Sequence, residues 1–330
     1  MERISRDKGY AILAAAALAA VAFMWAPRAG AQDHQYPDIT EYARECARKI
    51  APVPSFDCTK GTEIPITVNQ QPPHSYQPHM NCDRPSLLNM GTTDGNCVPY
   101  SRVVVLRDDD VAQIVALCRE KKIRDAKTVL YDEIDITSHN VRTGSTCWFQ
   151  AEILGVLDPA RGLNGKKVPS PEDPAAKNFW IEPVVVSKGK CGYCHDSDPF
   201  MYSPFIAQTG QLPADPFGKY VNDIGAPFRE WQQPSAISTR GNTCVGCHRI
   251  GNLMTCKQTV RQAVGEPSPG SDEWAKTYPN SHWMPPGNSL TQKQWDQIYG
   301  ESVKAILACC ANPKAPECNV TPIHDAQPQK

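Results

Sequence analysis

Residues 191–195 of the chain have the sequence CGYCH, and residues 244–248 have the sequence CVGCH. Both segments place two cysteines three positions apart and a histidine directly after the second cysteine. Histidine accounts for only 8 of the 330 residues, so chance rarely places it after both pairs. The repeat therefore marks two sites of the same chemistry, formed by Cys191, Cys194, His195, Cys244, Cys247 and His248.

This C-x-x-C-H pattern is typical of covalent haem attachment. Two thiols at this spacing can each form a thioether with a vinyl group on one porphyrin edge, and the next residue can bind the iron. We therefore expect two covalently bound haem c groups, with His195 and His248 as proximal iron ligands. A shared four-thiolate zinc site and ordinary disulfide or redox pairs are the alternatives, and the two histidines favour haem over both.

Residues 235–310 resemble a class I c-type cytochrome domain in the order of their motifs. In that family, C-x-x-C-H is followed some tens of residues later by a methionine in an M-P-P setting and then by a closing helix. Here the segment MPPG begins at Met284, 36 residues after His248, and leads to a T-x-x-Q capping box at Thr291. The resemblance implies that Met284 is the distal ligand of the second haem, which would raise its potential. A core methionine is the alternative.

The resemblance is weaker for the first haem. Only 53 residues separate Cys191 from Cys244, too few for a complete class I domain, so we expect both haems to share one fold. The sixth ligand of the first iron stays open, and an empty coordination position is one alternative. The candidate ligands are Met201, His282, His139, His79 and His74.

Several side chains near the motifs have two interpretations. Aromatic residues around the first motif could line the porphyrin or form ordinary core: Trp180, Tyr193, Phe200, Tyr202 and Phe205. Arg249 could pair with a haem propionate or be exposed to solvent. Asp196 and Asp198 could be acid/base groups, although a polar turn before Pro199 is favoured.

The first 31 residues have the organisation of a secretory signal peptide. Basic residues near the start precede an uncharged, mostly apolar run at 10–25, and Ala29-Gly30-Ala31 supplies a cleavage pattern. The run is short for a spanning helix of roughly 20 residues, and an uncleaved anchor is the alternative. We expect a protein exported to the periplasm of a Gram-negative bacterium, with no membrane span after cleavage.

Export predicts that the cysteines outside the motifs form disulfides, because thiols stay oxidised only in such compartments. The count is even, with six such cysteines before the motifs and four after them. They are Cys46, Cys58, Cys82, Cys97, Cys118, Cys147, Cys256, Cys309, Cys310 and Cys318. Their connectivity does not follow from the sequence.

The expected fold class is a Cys-rich α+β N-terminal unit followed by a mainly α, Pro-rich, cytochrome c-like dihaem region. Domain boundaries follow as a signal peptide at 1–31, a disulfide-bonded domain at 32–177, a dihaem domain at 178–318 and a disordered tail at 319–330. Local patterns predict strands at 103–106 and 129–138, a helix over 111–118, a hairpin turn at 142–144 into a strand through 147–149, and a helix from Thr291 to near Cys310.

A formal net charge of −1 argues against a nucleic-acid partner, and common hydrolase and nucleotide-binding motifs are absent. The sequence predicts a dihaem cytochrome that passes single electrons between periplasmic redox proteins. One alternative is a peroxidase-like enzyme whose first haem has an open coordination site and receives electrons from the second. Another is an exported structural or sensing domain.

Overall fold

The computed structural model describes residues 36–68, 71, 75, 98–153, 155, 158–189, 191–202, 204–213, 217–263 and 290–325. Residues from Tyr36 onward form one compact unit. Several residues with expected roles lie outside the described part: the signal segment 1–31, Met284, His282, His79, His74, Cys82 and Cys97.

The described helices and strands are mostly short. The α-helices are α1 (Ile39–Lys49), α2 (Pro183–Val186), α3 (Cys191–Cys194), α4 (Pro204–Ala207), α5 (Val260–Ala263) and α6 (Gln292–Ala311). The strands are β1 (Thr62–Glu63), β2 (Arg102–Asp108), β3 (Ala112–Arg119), β4 (Leu130–Tyr131), β5 (Glu133–Asn140), β6 (Thr146–Glu152), β7 (Leu163–Asn164), β8 (Ser235–Thr239), β9 (Ile250–Gly251) and β10 (Cys318–Pro322). No helix in the described part is both long and apolar enough to cross a bilayer.

An antiparallel sheet of five strands, in the order β1-β2-β3-β5-β6, dominates the N-terminal half. The predicted strand at 103–106 and the predicted hairpin are confirmed as β2 and as β5 with β6. The turn between β5 and β6 contains Gly144 at a φ of 81°, a backbone conformation that favours glycine.

The helix predicted over 111–118 is wrong, because this segment forms β3 in the middle of the sheet. Ile114, Val115 and Ala116 are consecutive and all buried, so both faces of the strand pack against protein. A strand buried on both faces has no polar alternation, and its apolar positions then also match helical spacing.

The prediction that the second half is mainly α is also wrong. In the described residues after 178, four of the five α-helices have four residues each, and β8 pairs with β9 and β10 in a second sheet. The expected closing helix is confirmed as α6, with both hydrogen bonds of the Thr291 capping box. Short apolar runs broken by proline suit strands and single turns better than long helices.

The tail after Cys318 was expected to be disordered, but its first residues pair as β10 with β8 along the full length of both strands. A disulfide from Cys309 in α6 to Cys318 holds the chain next to this sheet edge. Ile323 then packs into the main core, where it is almost fully buried.

One hydrophobic core contains residues from both sides of the expected boundary at 177. Tyr42 of α1 stacks on Phe228 at a centroid distance of 5.1 Å, and its hydroxyl accepts a hydrogen bond of 3.1 Å from the backbone N–H of Trp148. Trp180 joins the same core beside Phe149. The first motif is therefore built on a core that the N-terminal sheet supplies.

The prediction of disulfide bonds is confirmed for every non-motif cysteine that the structure describes. The pairs are Cys46–Cys147, Cys58–Cys118, Cys256–Cys310 and Cys309–Cys318. The first two join α1 and the segment after it to the large sheet, and the last two fasten α6 to its surroundings. Oxidised pairs of this number agree with folding in an oxidising compartment.

Candidate functional site

The two C-x-x-C-H segments form similar tight turns. In the first, α3 contains both cysteines and the backbone N–H of His195 donates to the carbonyl oxygen of Cys191 at 2.9 Å. In the second, a 3₁₀ turn begins at Cys244, and the N–H of His248 donates to its carbonyl oxygen at 3.0 Å. Each turn keeps its two thiols and its imidazole within one short segment.

The thiols of both motifs are free, in contrast to the other described cysteines. Burial raises the pKa of the Cys191 thiol to about 12, and burial also raises the pKa values of Cys194 and Cys244. A reactive redox pair needs a lowered thiol pKa, which favours the thiolate. The first motif therefore lacks the electrostatics of a thiol–disulfide catalyst.

His195 is held in one orientation. Its Nδ1 lies 2.9 Å from the carbonyl oxygen of Pro199 and must donate, since a carbonyl can only accept. Burial lowers the pKa of the imidazole to about 4, although the Pro199 bond opposes this, so the ring is neutral near pH 7. A neutral imidazole with Nδ1–H fixed by a carbonyl offers Nε2 as a metal ligand.

The indole of Trp148, from β6, packs edge-on against His195 with ring centroids 4.9 Å apart. Trp148 is almost fully buried, and its Nε1–H donates to the carbonyl oxygen of Asn222 at 3.2 Å. Trp231 lies 6.0 Å from Trp148 on a centroid basis. No motif in the sequence points to either tryptophan as part of this site. The one indication for Trp148 is that it directly follows Cys147, a cysteine expected to form a disulfide, in a predicted strand.

The aromatic residues expected around the first motif do not gather there as a group. Trp180 packs against Phe149 and Phe179, and Phe200 and Phe205 belong to a cluster with Val103 and Val115 of the sheet. Tyr202 is half exposed, with its hydroxyl 2.5 Å from the carbonyl oxygen of Pro213. Tyr193 has the ammonium of Lys257 5.3 Å from its ring centroid.

Asp196 links the first motif to the chain after the second. It is fully buried, and its carboxylate accepts hydrogen bonds from the N–H of Leu253 at 2.6 Å and from Oγ1 and N–H of Thr255 at 2.5 and 3.2 Å. Burial raises the pKa of Asp196, while these bonds act in the opposite direction. Asp196 is therefore a buried anchor, while Asp198 accepts a hydrogen bond of 2.9 Å from the N–H of Phe200 and so forms the polar turn around Pro199.

The side chain of Arg249, directly after the second histidine, is also buried. Its Nε donates to the carbonyl oxygen of Ser197 at 2.5 Å, and Nη1 donates to that of Gly218. Nη2 lies 3.6 Å from Oδ2 of Asp198, and the side chain is only 6% exposed. The expected solvent exposure is therefore wrong, and Arg249 ties the second motif to the residues after the first.

The second motif rests on the closing helix. Oδ1 of Asn242 accepts from the N–H of Cys244 at 3.0 Å, and Nδ2 of Asn242 donates to the carbonyl oxygen of Ser302 in α6 at 2.8 Å. Cys244 packs against the cluster that Trp295 and Val303 of the same helix form. The His248 side chain has no hydrogen bond within the described residues, and partial burial lowers its pKa.

Two candidates for the sixth ligand of the first iron lie in the described part. His139 is 3% exposed in β5, and its Nδ1 lies 2.9 Å from Oγ1 of Thr146. Burial lowers the pKa of His139 to about 4, as expected of a hydrogen-bonded core histidine. Met201 lies half-buried after Phe200. Nothing in the described contacts brings either side chain to His195.

Two buried polar side chains beside the first motif have no hydrogen-bond partner among the described residues. They are Tyr220, at its hydroxyl, and Asn222, at both amide atoms. Both residues are 0% exposed. A Cβ on Gly192 would lie 2.5 Å from Nδ2 of Asn222, so this amide is next to the attachment turn. Buried unpaired polar groups are rare and call for a ligand or an ordered water.

These donor sets fit haem better than zinc. No three His, Cys, Asp or Glu side chains in the described part of the chain lie close enough to share a metal ion, although all four motif cysteines are described. One tetrahedral thiolate site is therefore not formed. Each motif instead presents a free thiol pair with its own histidine, and the first adds unpaired polar groups of the kind that can hold haem propionates.

Comparison of the chain with protein-family models, curated sequences and solved structures finds no match in any of the three.

Proposed function

We propose that the chain is an exported dihaem c-type cytochrome that transfers single electrons between periplasmic redox proteins. One observation carries the proposal. The eight described cysteines outside the motifs are all bridged, while the four motif cysteines are free thiols on turns that each end in a histidine. Cysteines of an exported protein normally form disulfides, and thioether bonds to haem would explain why these four do not.

Residues of the two motifs would bind both haems. The thiol pairs would form the covalent attachments, and His195 and His248 would be the proximal iron ligands. Bound haem supplies an iron centre that cycles between the ferric and ferrous states. The hydrogen bond from His195 to Pro199 fixes the imidazole tautomer and strengthens its basicity toward iron. Trp148 excludes water from one side of that imidazole.

The second site takes its distal ligand from Met284 in this proposal. The resemblance of residues 235–310 to a class I cytochrome domain supports it through motif order. The capped helix α6 and its contact with Cys244 agree with a closing helix packed against the attachment turn. A His/Met pair gives a higher potential than two histidines, which suits an electron carrier.

Haem counting in cysteine variants tests the proposal. Protein produced with a periplasmic haem-attachment system should carry two covalent haems by alkaline pyridine spectrum. Replacement of both cysteines of either motif by serine should leave one. The matched control replaces Cys58 and Cys118, a bridged pair of the N-terminal half, and should keep both haems. Wild-type protein that binds no haem under these conditions would overturn the proposal.

A peroxidase-like enzyme is the second candidate, favoured by the unpaired Tyr220 and Asn222 beside the first motif. Buried polar groups of this kind could orient a small oxidant at an open coordination site. Resonance Raman spectra distinguish the two functions. A carrier predicts two six-coordinate low-spin haems, whereas the enzyme predicts one high-spin haem and peroxide turnover that is lost when Tyr220 is replaced by Phe.

A further inference from the structure

The residues after the first histidine and those after the second histidine form a continuous set of hydrogen bonds, here called the inter-motif bridge (residues 196–198 and 249–255). Asp196 accepts from Leu253 and Thr255, as described above. Ser197 adds two bonds, since its Oγ donates to Oγ1 of Thr255 at 2.8 Å and accepts from the N–H of Gly251 at 3.0 Å. Arg249 completes the bridge from the second motif.

The backbone of the inter-motif bridge is closely packed at Gly251. A Cβ on Gly251 would lie 2.5 Å from Cγ, Oδ2 and the backbone oxygen of Asp196, so only glycine permits this approach. Gly251 is three residues after His248, and three Cα steps span about 11 Å at most. Asp196 directly follows His195. One buried carboxylate is therefore close to the backbone of both proposed iron ligands.

The hydrogen-bond donors to this carboxylate come from Leu253 and Thr255, and Arg249, the cation within the bridge, lies against Asp198. The partners of the Asp196 carboxylate are two backbone N–H groups and one hydroxyl, which all donate to it. Donors of this kind stabilise the ionised carboxylate. A buried charge acts over longer distances than an exposed one, because solvent screens it less.

We propose that Asp196 is a positioning residue shared by both haem sites, which fixes the two attachment turns relative to each other and shifts the reduction potentials of both irons through its negative charge. This inference rests on the proposed function. A negative charge near a haem stabilises the ferric state, since ferric iron carries one more positive charge than ferrous iron. The two haems then form one electrostatically coupled unit.

Spectropotentiometric titration of Asp196→Asn tests the inference, after haem counting on the same sample. With two haems bound, both reduction potentials should shift to more positive values. The matched control Asp110→Asn removes a carboxylate that is 82% exposed and should leave both potentials unchanged. Potentials that both stay at wild-type values, or a shift of one haem alone, would overturn the inference. A wild-type chain without haem would instead overturn the proposed function.

If Asp196→Asn does not fold, Thr255→Val is the second variant. It removes the hydroxyl donor to Asp196 and leaves the carboxylate charge in place. Because that charge is then less compensated, both potentials should shift to more negative values, opposite in sign to Asp196→Asn. Unchanged potentials or positive shifts in this variant would contradict the shared role of Asp196.

Discussion

The indole of Trp148 packs edge-on against the imidazole of His195, with ring centroids 4.9 Å apart, and so joins the large N-terminal sheet to the first C-x-x-C-H motif. The same indole donates to the backbone of Asn222 and lies beside Trp231. The environment of the first histidine is therefore set by a residue 47 positions earlier in the chain. The sheet supports the candidate haem site directly.

Replacing Trp148 by Phe should lower the free energy of unfolding by about 1–3 kcal/mol, because a buried hydrogen bond and part of the packing are lost. It should also change the spectrum of the first haem. Trp180→Phe is the control, since that indole also donates to a backbone carbonyl oxygen, of Pro169 at 3.0 Å, but is not among the rings in contact with His195. Denaturant titration with absorption and EPR spectra checks both. Identical haem spectra in the two variants would contradict the assigned contact.

Replacing Met284 by Ala should leave two covalent haems but abolish the weak far-red absorption of an iron–thioether bond. The distal ligand would be lost while the thioether attachments stay intact. Met254→Leu, at a buried methionine in the described part, should retain the band. Ferric absorption spectra at high protein concentration check the prediction, and a band that survives in Met284→Ala would refute the ligand assignment.

Replacing Cys58 and Cys118 together by Ala should destabilise the protein by about 2–5 kcal/mol, because the disulfide restrains a loop of 60 residues in the unfolded chain. Haem content should stay at two, since neither residue belongs to a motif. Thermal and denaturant unfolding with pyridine spectra of the same samples measure both quantities. Loss of one haem in this variant would mean that the cysteines have been assigned to the wrong roles.

His139 should make stability depend on pH between about 4 and 6.5. Its pKa is lowered from 6.5 to about 4 by burial, so the unfolded chain binds a proton in this window that the folded protein does not. Stability is then constant above the unfolded pKa and falls as the pH decreases, by about 3 kcal/mol in total. Replacing His139 by Gln should remove the contribution of this residue and so reduce the slope of stability against pH. Unfolding free energies from pH 4 to 7.5 that keep the wild-type slope would contradict the prediction.

The features that could be predicted from the sequence are those that neighbouring residues determine. The capping box at Thr291, the hairpin turn at Gly144 and the even number of non-motif cysteines each depend on neighbouring residues or on a count. β3 was mistaken for a helix because a strand buried on both faces has no alternating pattern. The mainly α assignment of the second half came from its resemblance to a class I cytochrome domain, and the sheet of β8, β9 and β10 contradicts it.

The architecture of the site could not be predicted, because it depends on contacts between distant residues. Asp196 and Thr255 are 59 positions apart, and Trp148 pairs with His195 across the boundary expected at 177. Isolated residues that make such long-range contacts belong to no repeating sequence pattern. A buried aspartate and an exposed one look alike in the sequence, and only the N–H groups of Leu253 and Thr255 explain why Asp196 is inside.

The intact mass of the exported protein is the decisive measurement for covalent haem at both motifs. We expect a chain without residues 1–31 that has gained two haem masses and in which the ten non-motif cysteines resist alkylation unless they are first reduced. A colourless protein of haem-free mass, with its motif thiols bound to zinc, would contradict it.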